Sequence, residues 1–261
     1  MHIRPTDTAL VPPAPPSVAR WLKALLVAVL ICAGSDAALA LKCDPAPLAP
    51  PHDVSQWGNL GVLKLRLIRY ACSGAYDRDV TRVLAQATAY FQRRAGKVAK
   101  PAIVLDIDET ALSNWPEIVA NDLGYIPDGP CDALPKGPCG WHAWIAAAKA
   151  GPIAPTLALF KAARARGVPV FFVSGRHDDP QERAATERNL RAAGYADWAA
   201  VLMRPPEDKD PSPQAFKTSQ RANIEAQGYR IVINVGDQRV DLDGGHAERT
   251  FLVPNPFYFI P

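Results

Sequence analysis

The sequence predicts an α/β fold, a doubly wound and mostly parallel sheet with helices on both faces. Two observations support it: short runs rich in β-branched and apolar residues recur along the chain, and helix-like segments separate them. The predicted strands are residues 102–105, 168–173, 200–202, 230–235 and 250–253. The predicted helices between them are residues 155–166, 180–193 and 213–227. Each helix begins near a proline and ends near Gly167, Gly194 or Gly228, the expected start and stop chemistry.

A further helix is predicted before the first strand, over residues 76–95. Apolar side chains recur there at helical spacing, at Val80, Val83, Leu84, Ala87, Tyr90 and Phe91. A stripe of this kind is typical of a helix that covers a core.

The connection between the first two strands contains a long insertion, residues 114–152. Connections in such folds usually span a few residues, so this one predicts a cap over the ligand site. The insertion carries the aromatic residues Trp115, Tyr125, Trp141 and Trp144. They either stack on a ligand, such as a nucleoside base or an aryl ester, or form the small core of the insertion.

The first 40 residues predict an export signal. Arg20 and Lys23 flank the apolar run 24–33, which is followed by small residues that end in Ala38-Leu39-Ala40. This length is typical of a signal peptide, whereas a membrane anchor, the alternative, needs about 20 apolar residues. We expect cleavage after Ala40, a single mature domain over residues 41–261, a periplasmic or secreted location and no stable membrane insertion.

Four cysteines remain after such a cleavage: Cys43, Cys72, Cys131 and Cys139. An even number in an oxidising compartment favours disulfides, and three pairings are possible. We favour Cys131 with Cys139, because the Pro- and Gly-rich segment between them closes a short loop, which leaves Cys43 for Cys72. No Cys-x-x-Cys spacing supports a metal site instead.

Charge and composition limit the partners. The formal net charge of the 261 residues is +3, and no run of Lys and Arg is long enough to follow a phosphate backbone. We therefore expect no nucleic-acid polymer as a partner, and a small anion as the ligand.

Polar segments follow three of the predicted strands, where ligands of such sheets bind. They are Asp106-Ile107-Asp108-Glu109-Thr110, Ser174-Gly175-Arg176 and Gly236-Asp237-Gln238-Arg239-Val240-Asp241. Taken singly, each is explained by helix caps or turns. Together they gather several carboxylates at one edge of the sheet, where a cation must offset their repulsion. Hard oxygen ligands favour Mg²⁺.

Two further segments complete the pattern, Phe216-Lys217-Thr218-Ser219-Gln220-Arg221 and Pro254-Asn255-Pro256-Phe257-Tyr258. In this order, the segments resemble those of the haloacid dehalogenase (HAD) superfamily. More narrowly, the chain resembles its secreted acid phosphatases, a class B/C-like group that includes plant vegetative storage proteins and bacterial outer-surface acid phosphatases. The resemblance runs from about Gly58 to the last residue.

The resemblance implies a nucleophile and a proton carrier. Asp106 would attack phosphorus to form an aspartyl-phosphate. Asp108 would protonate the leaving alkoxide and later deprotonate the hydrolytic water. The substrate would be a small phosphomonoester.

The resemblance also implies the binding residues. Mg²⁺ would be held by the Asp106 carboxylate, the Asp108 backbone carbonyl and Asp237, with Asp241 nearby. The phosphate would be bound by Ser174, Gly175, Lys217 and Arg176. Two alternatives stay open: Lys217 as a solvated surface lysine, and Arg176 as the partner that fixes the acidic cluster.

Two other functions remain open. One is a storage or phosphate-binding protein without turnover, which a substitution at position 106 would favour; Asp106 and Asp108 are both present. The other is phosphotransfer from the same phosphoenzyme to an alcohol instead of water.

Overall fold

Seven strands are found in the computed structural model, which describes residues 58–206 and 212–261. They are β1 (Pro101–Leu105), β2 (Leu112–Ser113), β3 (Gly151–Pro152), β4 (Val170–His177), β5 (Ala200–Arg204), β6 (Arg230–Gly236) and β7 (Arg249–Leu252). The predicted signal peptide, residues 1–40, lies outside the described residues, as does Cys43.

Five of these strands form the central sheet, in the order β5-β4-β1-β6-β7. Every neighbouring pair is parallel. The chain runs from β1 outward to β5 and then crosses to the other side of β1 to make β6 and β7. The carboxyl end of β1 therefore lies at the topological switch point, where ligands of doubly wound folds bind. The predicted fold class is confirmed.

Eight α-helices are found in the same residues: α1 (Leu60–Cys72), α2 (Ala75–Arg94), α3 (Trp115–Ala120), α4 (Trp141–Ala147), α5 (Ala154–Arg164), α6 (Pro180–Ala192), α7 (Pro213–Ala226) and α8 (Arg239–Leu242). The helices predicted over 76–95, 155–166, 180–193 and 213–227 correspond to α2, α5, α6 and α7, with ends that differ by at most two residues. None of these eight helices combines the length and the apolar character needed to cross a bilayer.

The helices cover both faces of the sheet. On one face, α2 and α5 bury side chains such as Leu84, Phe91 and Phe160 in the larger core. On the other, α7 packs Phe216 and Ile224 in a smaller core with residues of β1, β4 and β6. The placement of α7 brings its polar face to the switch point.

The helix α1 was not predicted. Its leucines at 63, 65 and 67 alternate with Lys64 and Arg66, a period typical of a strand, and none of its residues is buried. The helix begins where the Asn59 side chain accepts a hydrogen bond from the Val62 N–H at 3.1 Å. Periodicity alone therefore misreads this segment.

The insertion predicted over residues 114–152 is called the cap below. At its base lies the antiparallel pair β2 and β3, in which Leu112 lies opposite Pro152. The predicted disulfide between Cys131 and Cys139 is present. The Asn121 side chain holds the Cys139 backbone N–H and carbonyl, both at 2.8 Å. Cys72 is also disulfide-bonded.

Candidate active site

The segment after β1 forms a tight turn that begins with Asp106. The Asp106 N–H donates to the Val235 carbonyl of β6, and the N–H groups of Ala111 and Leu112 both donate to the Ile107 carbonyl. Glu109 adopts a left-handed conformation (φ 53°), which is uncommon for a residue with a side chain. The turn places Asp106 and Asp108 at the carboxyl edge of the sheet.

Three buried carboxylates meet at this edge, from Asp106, Asp237 and Asp241. One carboxylate oxygen of each lies within 4.8 Å of the others. Asp237 follows β6, and Asp241 belongs to α8, which turns back over the strand end. A Cβ at Gly236 would lie 2.3 Å from the Cβ of Asp241, so glycine is required for this close approach. The sequence prediction that these acids gather at one place is confirmed.

Lys217 enters the cluster from α7 and is 5% exposed. Its ammonium donates to Asp106 Oδ1 at 2.7 Å and also to Asp241 Oδ1. The alternative of a solvated surface lysine is therefore wrong. One cation faces three acids, so negative charge remains in excess. Burial raises the pKa of Asp106; Lys217 opposes this rise, and Asp241 and Asp237 add to it.

Asp237 is held by three side chains. Oδ1 accepts from the Thr110 hydroxyl at 3.0 Å, and Oδ2 accepts from Gln238 Nε2 and Asn255 Nδ2, both at 2.8 Å. Burial and the Asp241 charge raise the pKa of Asp237 to about 7, against the effect of these hydrogen bonds. Such an arrangement of buried acids is suited to a bound cation.

Asp108 points away from this cluster and pairs with Arg176. The Arg176 guanidinium donates through Nε to Oδ2 at 3.0 Å and through a terminal nitrogen to Oδ1 at 2.6 Å. Asn114 Nδ2 donates to the same Oδ1 at 2.9 Å. Burial alone would raise the pKa of Asp108, but the charge and hydrogen bonds of Arg176 and the hydrogen bond from Asn114 lower it below its usual value.

Ser174, Gly175 and Arg176 lie within the last part of β4, which runs beyond the predicted end at residue 173. The pairing of β4 with β5 is irregular between Ser174 and His177. Gly175 lines the cavity of the site, and a Cβ there would meet nothing within 4 Å. Ser174 is buried, and its hydroxyl accepts from the Arg176 N–H at 3.2 Å.

A cavity of about 450 Å³ opens above these residues. It is walled by the carboxyl edge of the sheet, the cap and the C-terminal segment. Tyr125 and Trp141 of the cap line it, and Tyr125 is 69% exposed. Trp144 is buried, and Trp115 packs on Phe257 with ring centroids 5.0 Å apart. Two cap aromatics, Tyr125 and Trp141, therefore line the cavity, although Trp141 also packs against the core.

A sequence model of the HAD superfamily, subfamily IIIB (acid phosphatase), matches residues 33–261. The chain belongs to this family of acid phosphatases. Its enzyme class is therefore that of a phosphomonoesterase. The resemblance stated from the sequence motifs is confirmed.

Relatives of this acid phosphatase include plant proteins. The stem 28 kDa glycoprotein of Glycine max is 36% identical over 190 residues, 72% of this chain and 71% of that protein. Acid phosphatase 1 of Solanum lycopersicum is 29% identical over 193 residues, 73% of this chain and 72% of that protein.

A solved structure, the class C acid phosphatase from Bacillus anthracis, shares the fold. Its TM-score is 0.60 with 23% identity, over 76% of this chain and 85% of that one. At this identity the likeness bears on the fold alone.

Several polar residues of the phosphatase site were given no role from the sequence. Glu109 and Asn114 lie beneath Asp108, Glu117 lines the cavity from the cap, and Asn255 and Tyr258 reach the site from the C-terminal segment. The last two follow β7, so the rule that polar residues after a strand approach the ligand applied to them as well.

Proposed function

We propose that this chain is an exported, magnesium-dependent acid phosphatase that hydrolyses small phosphomonoesters through an aspartyl-phosphate at Asp106. The observation that carries the proposal is the separation of two carboxylates only two residues apart. Asp106 lies in the cluster with Lys217, whereas Asp108 is turned toward Arg176. The two carboxylates are thus suited to different tasks.

In the first step, a carboxylate oxygen of Asp106 attacks phosphorus and forms a new O–P bond while the bond to the ester oxygen breaks. The negative charge of the bound phosphate opposes the lowering of the Asp108 pKa by Arg176, so that Asp108 can take up a proton when substrate binds. Protonated Asp108 gives this proton to the departing alkoxide, which leaves as the alcohol. The Asp108 side chain is 17% exposed and lines the cavity, so the leaving group of a bound ester can reach its carboxylate.

In the second step, water attacks the phosphorus of the aspartyl-phosphate. Asp108, now ionised, accepts the proton of that water, and the O–P bond to Asp106 breaks to release inorganic phosphate. The enzyme returns to its initial protonation state. Attack by an alcohol in place of water would give phosphotransfer with the same residues.

Binding of the phosphate is assigned to Lys217, the Ser174 hydroxyl, the Gly175 backbone and Arg176. The Lys217 ammonium lies 2.7 Å from the Asp106 carboxylate, so it is placed to attract a phosphate oxygen beside the nucleophile. Arg176 is committed on two of its nitrogens to Asp108, which favours a role in orienting that carboxylate.

The acidic cluster fits a divalent cation. It offers three carboxylates as hard oxygen donors and only one lysine to balance them. Asp106, Asp237 and Asp241 would hold Mg²⁺ together with the backbone carbonyl of Asp108. When bound, the ion offsets the repulsion between the nucleophilic carboxylate and the anionic phosphate.

Two further features bear on substrate and location. A cavity of about 450 Å³ with Tyr125 and Trp141 on its wall suits aryl phosphates and nucleotides among small esters. The Cys131–Cys139 disulfide, with the disulfide-bonded Cys72, fits an oxidising compartment and the predicted signal at residues 1–40. Recovery of the mature protein only from the cytoplasm would contradict export.

The test is phosphate release from p-nitrophenyl phosphate with and without Mg²⁺, for the wild type, Asp106→Asn and the exposed control Asp132→Asn. We expect magnesium-dependent activity in the wild type and the control and none in Asp106→Asn. Mass spectrometry of acid-quenched wild type should show one added phosphoryl group. An inactive wild type with its fold intact would instead favour a storage or phosphate-binding protein.

A further inference from the structure

The C-terminal segment after β7 is fixed to the active site by its polar groups. Asn255 donates to Asp237 at 2.8 Å, and Tyr258 donates through its hydroxyl to Glu109 Oε2 at 2.9 Å. Phe257 anchors the segment in the core, where its ring lies 5.1 Å from that of Tyr76. The Gln238 side chain makes two hydrogen bonds to the backbone of this segment. Its Nε2 donates to the Tyr258 carbonyl, and its Oε1 accepts from the Ile260 N–H.

Glu109 connects Tyr258 to Asn114, which is one of the two residues that hold Asp108. Its Oε1 accepts from the Asn114 N–H at 2.6 Å, and its Oε2 accepts from Asn114 Nδ2 at 3.0 Å as well as from Tyr258. Glu109 is 2% exposed and has no cationic partner within the described residues. Its place beside Asp108 therefore depends on these neutral donors.

Asn114 connects Glu109 to Asp108. Its Nδ2 group donates to both carboxylates, to Asp108 Oδ1 at 2.9 Å and to Glu109 Oε2 at 3.0 Å. Its Oδ1 accepts from the Trp144 indole N–H at 2.8 Å. Because the indole can only donate, this bond fixes which end of the amide faces the carboxylates.

We propose that Tyr258 and Asn114 are positioning residues for Asp108. The C-terminal segment thereby contributes to the orientation of this carboxylate in the active site. This inference rests on the proposed function, in which Asp108 protonates the leaving group. Arg176 restrains Asp108 from the β4 side, and Asn114 restrains it from the cap side. Tyr258 donates the second hydrogen bond to Glu109 Oε2, so that Asn114 is held between two fixed acceptors. Burial and the nearby carboxylates, Glu109 first, raise the pKa of Tyr258, so its hydroxyl keeps the proton that it donates.

The proposal predicts a defect that depends on the leaving group. A p-nitrophenolate leaves without a proton, whereas the alkoxide of an alkyl ester needs one from Asp108. A misplaced Asp108 therefore slows alkyl phosphates selectively. The constant kcat/KM includes only the steps up to departure of the alcohol, so it reports this proton transfer directly.

The experiment compares Tyr258→Phe with the matched control Tyr70→Phe. Tyr70 likewise donates to a carboxylate, Asp79 at 2.8 Å, but neither residue of this pair lines the cavity. We expect Tyr258→Phe to lower kcat/KM for glycerol 2-phosphate by about tenfold, within the range of a general acid's contribution, and for p-nitrophenyl phosphate by less than twofold. Tyr70→Phe should change neither by more than twofold.

A second variant, Asn114→Ser, should show the same selectivity with a larger loss on the alkyl ester. Urea unfolding of each variant separates this effect from loss of fold. Equal losses on both substrates in Tyr258→Phe, or no loss on either, would overturn the inference while leaving the proposed function intact. An inactive wild type would instead overturn the proposed function.

Discussion

Removing Lys217 tests the electrostatics of the acidic cluster. In Lys217→Met, three carboxylates lose the one ammonium that lies among them. Removal of one partner of a buried ion pair costs about 3–5 kcal/mol of stability. We expect a loss of that size in the free energy of unfolding at pH 7 when divalent cations are chelated.

The loss should depend on pH, because the variant can replace the missing charge with a proton. A carboxyl whose pKa is raised in the folded state binds a proton that the unfolded chain, with an ordinary pKa of about 3.9, has released. Stability then falls as pH rises, by about 1.4 kcal/mol per pH unit for each such proton. We expect the variant to bind one proton more than the wild type, so the difference in stability between the two proteins should grow by about 3 kcal/mol from pH 5 to pH 7.

Urea titrations at pH 5 and pH 7 in chelator measure both quantities. Lys161→Met is the control, because Lys161 is exposed on α5, and its change should stay within about 0.5 kcal/mol at either pH. A loss below about 1 kcal/mol at pH 7, or an equal loss at both pH values, would refute the reasoning.

Three other perturbations have defined outcomes. Arg176→Gln removes the cation that lowers the pKa of Asp108, so the acid form persists to higher pH, and the alkaline limb of kcat/KM should move up by about 1–3 pH units. Replacing Cys131 and Cys139 by serine opens a loop with a sequence separation of 8 and should cost about 2–3 kcal/mol in urea unfolding. Burial raises the pKa of Glu117 to about 7, so the cavity gains a negative charge above that pH. Glu117→Gln should therefore improve kcat/KM at pH 8 severalfold for 3-phosphoglycerate, which carries an additional carboxylate, and by a smaller factor for glycerol 2-phosphate. Equal changes would contradict this.

The sheet and its acidic edge could be predicted because they depend on local signals. The runs that became β1, β4 and β6 are almost entirely apolar, as strands buried on both faces must be, and the prolines and glycines between them mark helix ends. Once a parallel sheet is inferred, Asp106 and Asp237 must lie at the same edge, because all carboxyl ends of parallel strands lie there. The adjacency of β1 and β6 then brings them together.

Other features depend on contacts that no local pattern contains. Lys217 occupies an ordinary position on a helix, and only the crossing of α7 over the switch point buries it among the acids. The direction of Asp108 depends on side-chain rotation toward Arg176, which is set by packing in three dimensions. The helix α1 was missed because alternating leucines and basic residues mimic a strand.

Pro261 lies on the wall of the cavity, together with Phe259 and Ile260. Whatever is joined to Pro261 in an expressed protein therefore begins at the entrance for substrate. A polyhistidine tag at this end would bring imidazole metal ligands to an acidic site that is itself suited to a divalent ion. Kinetic constants and metal titrations of such a protein would describe the tag as well as the enzyme, unless the tag is first removed.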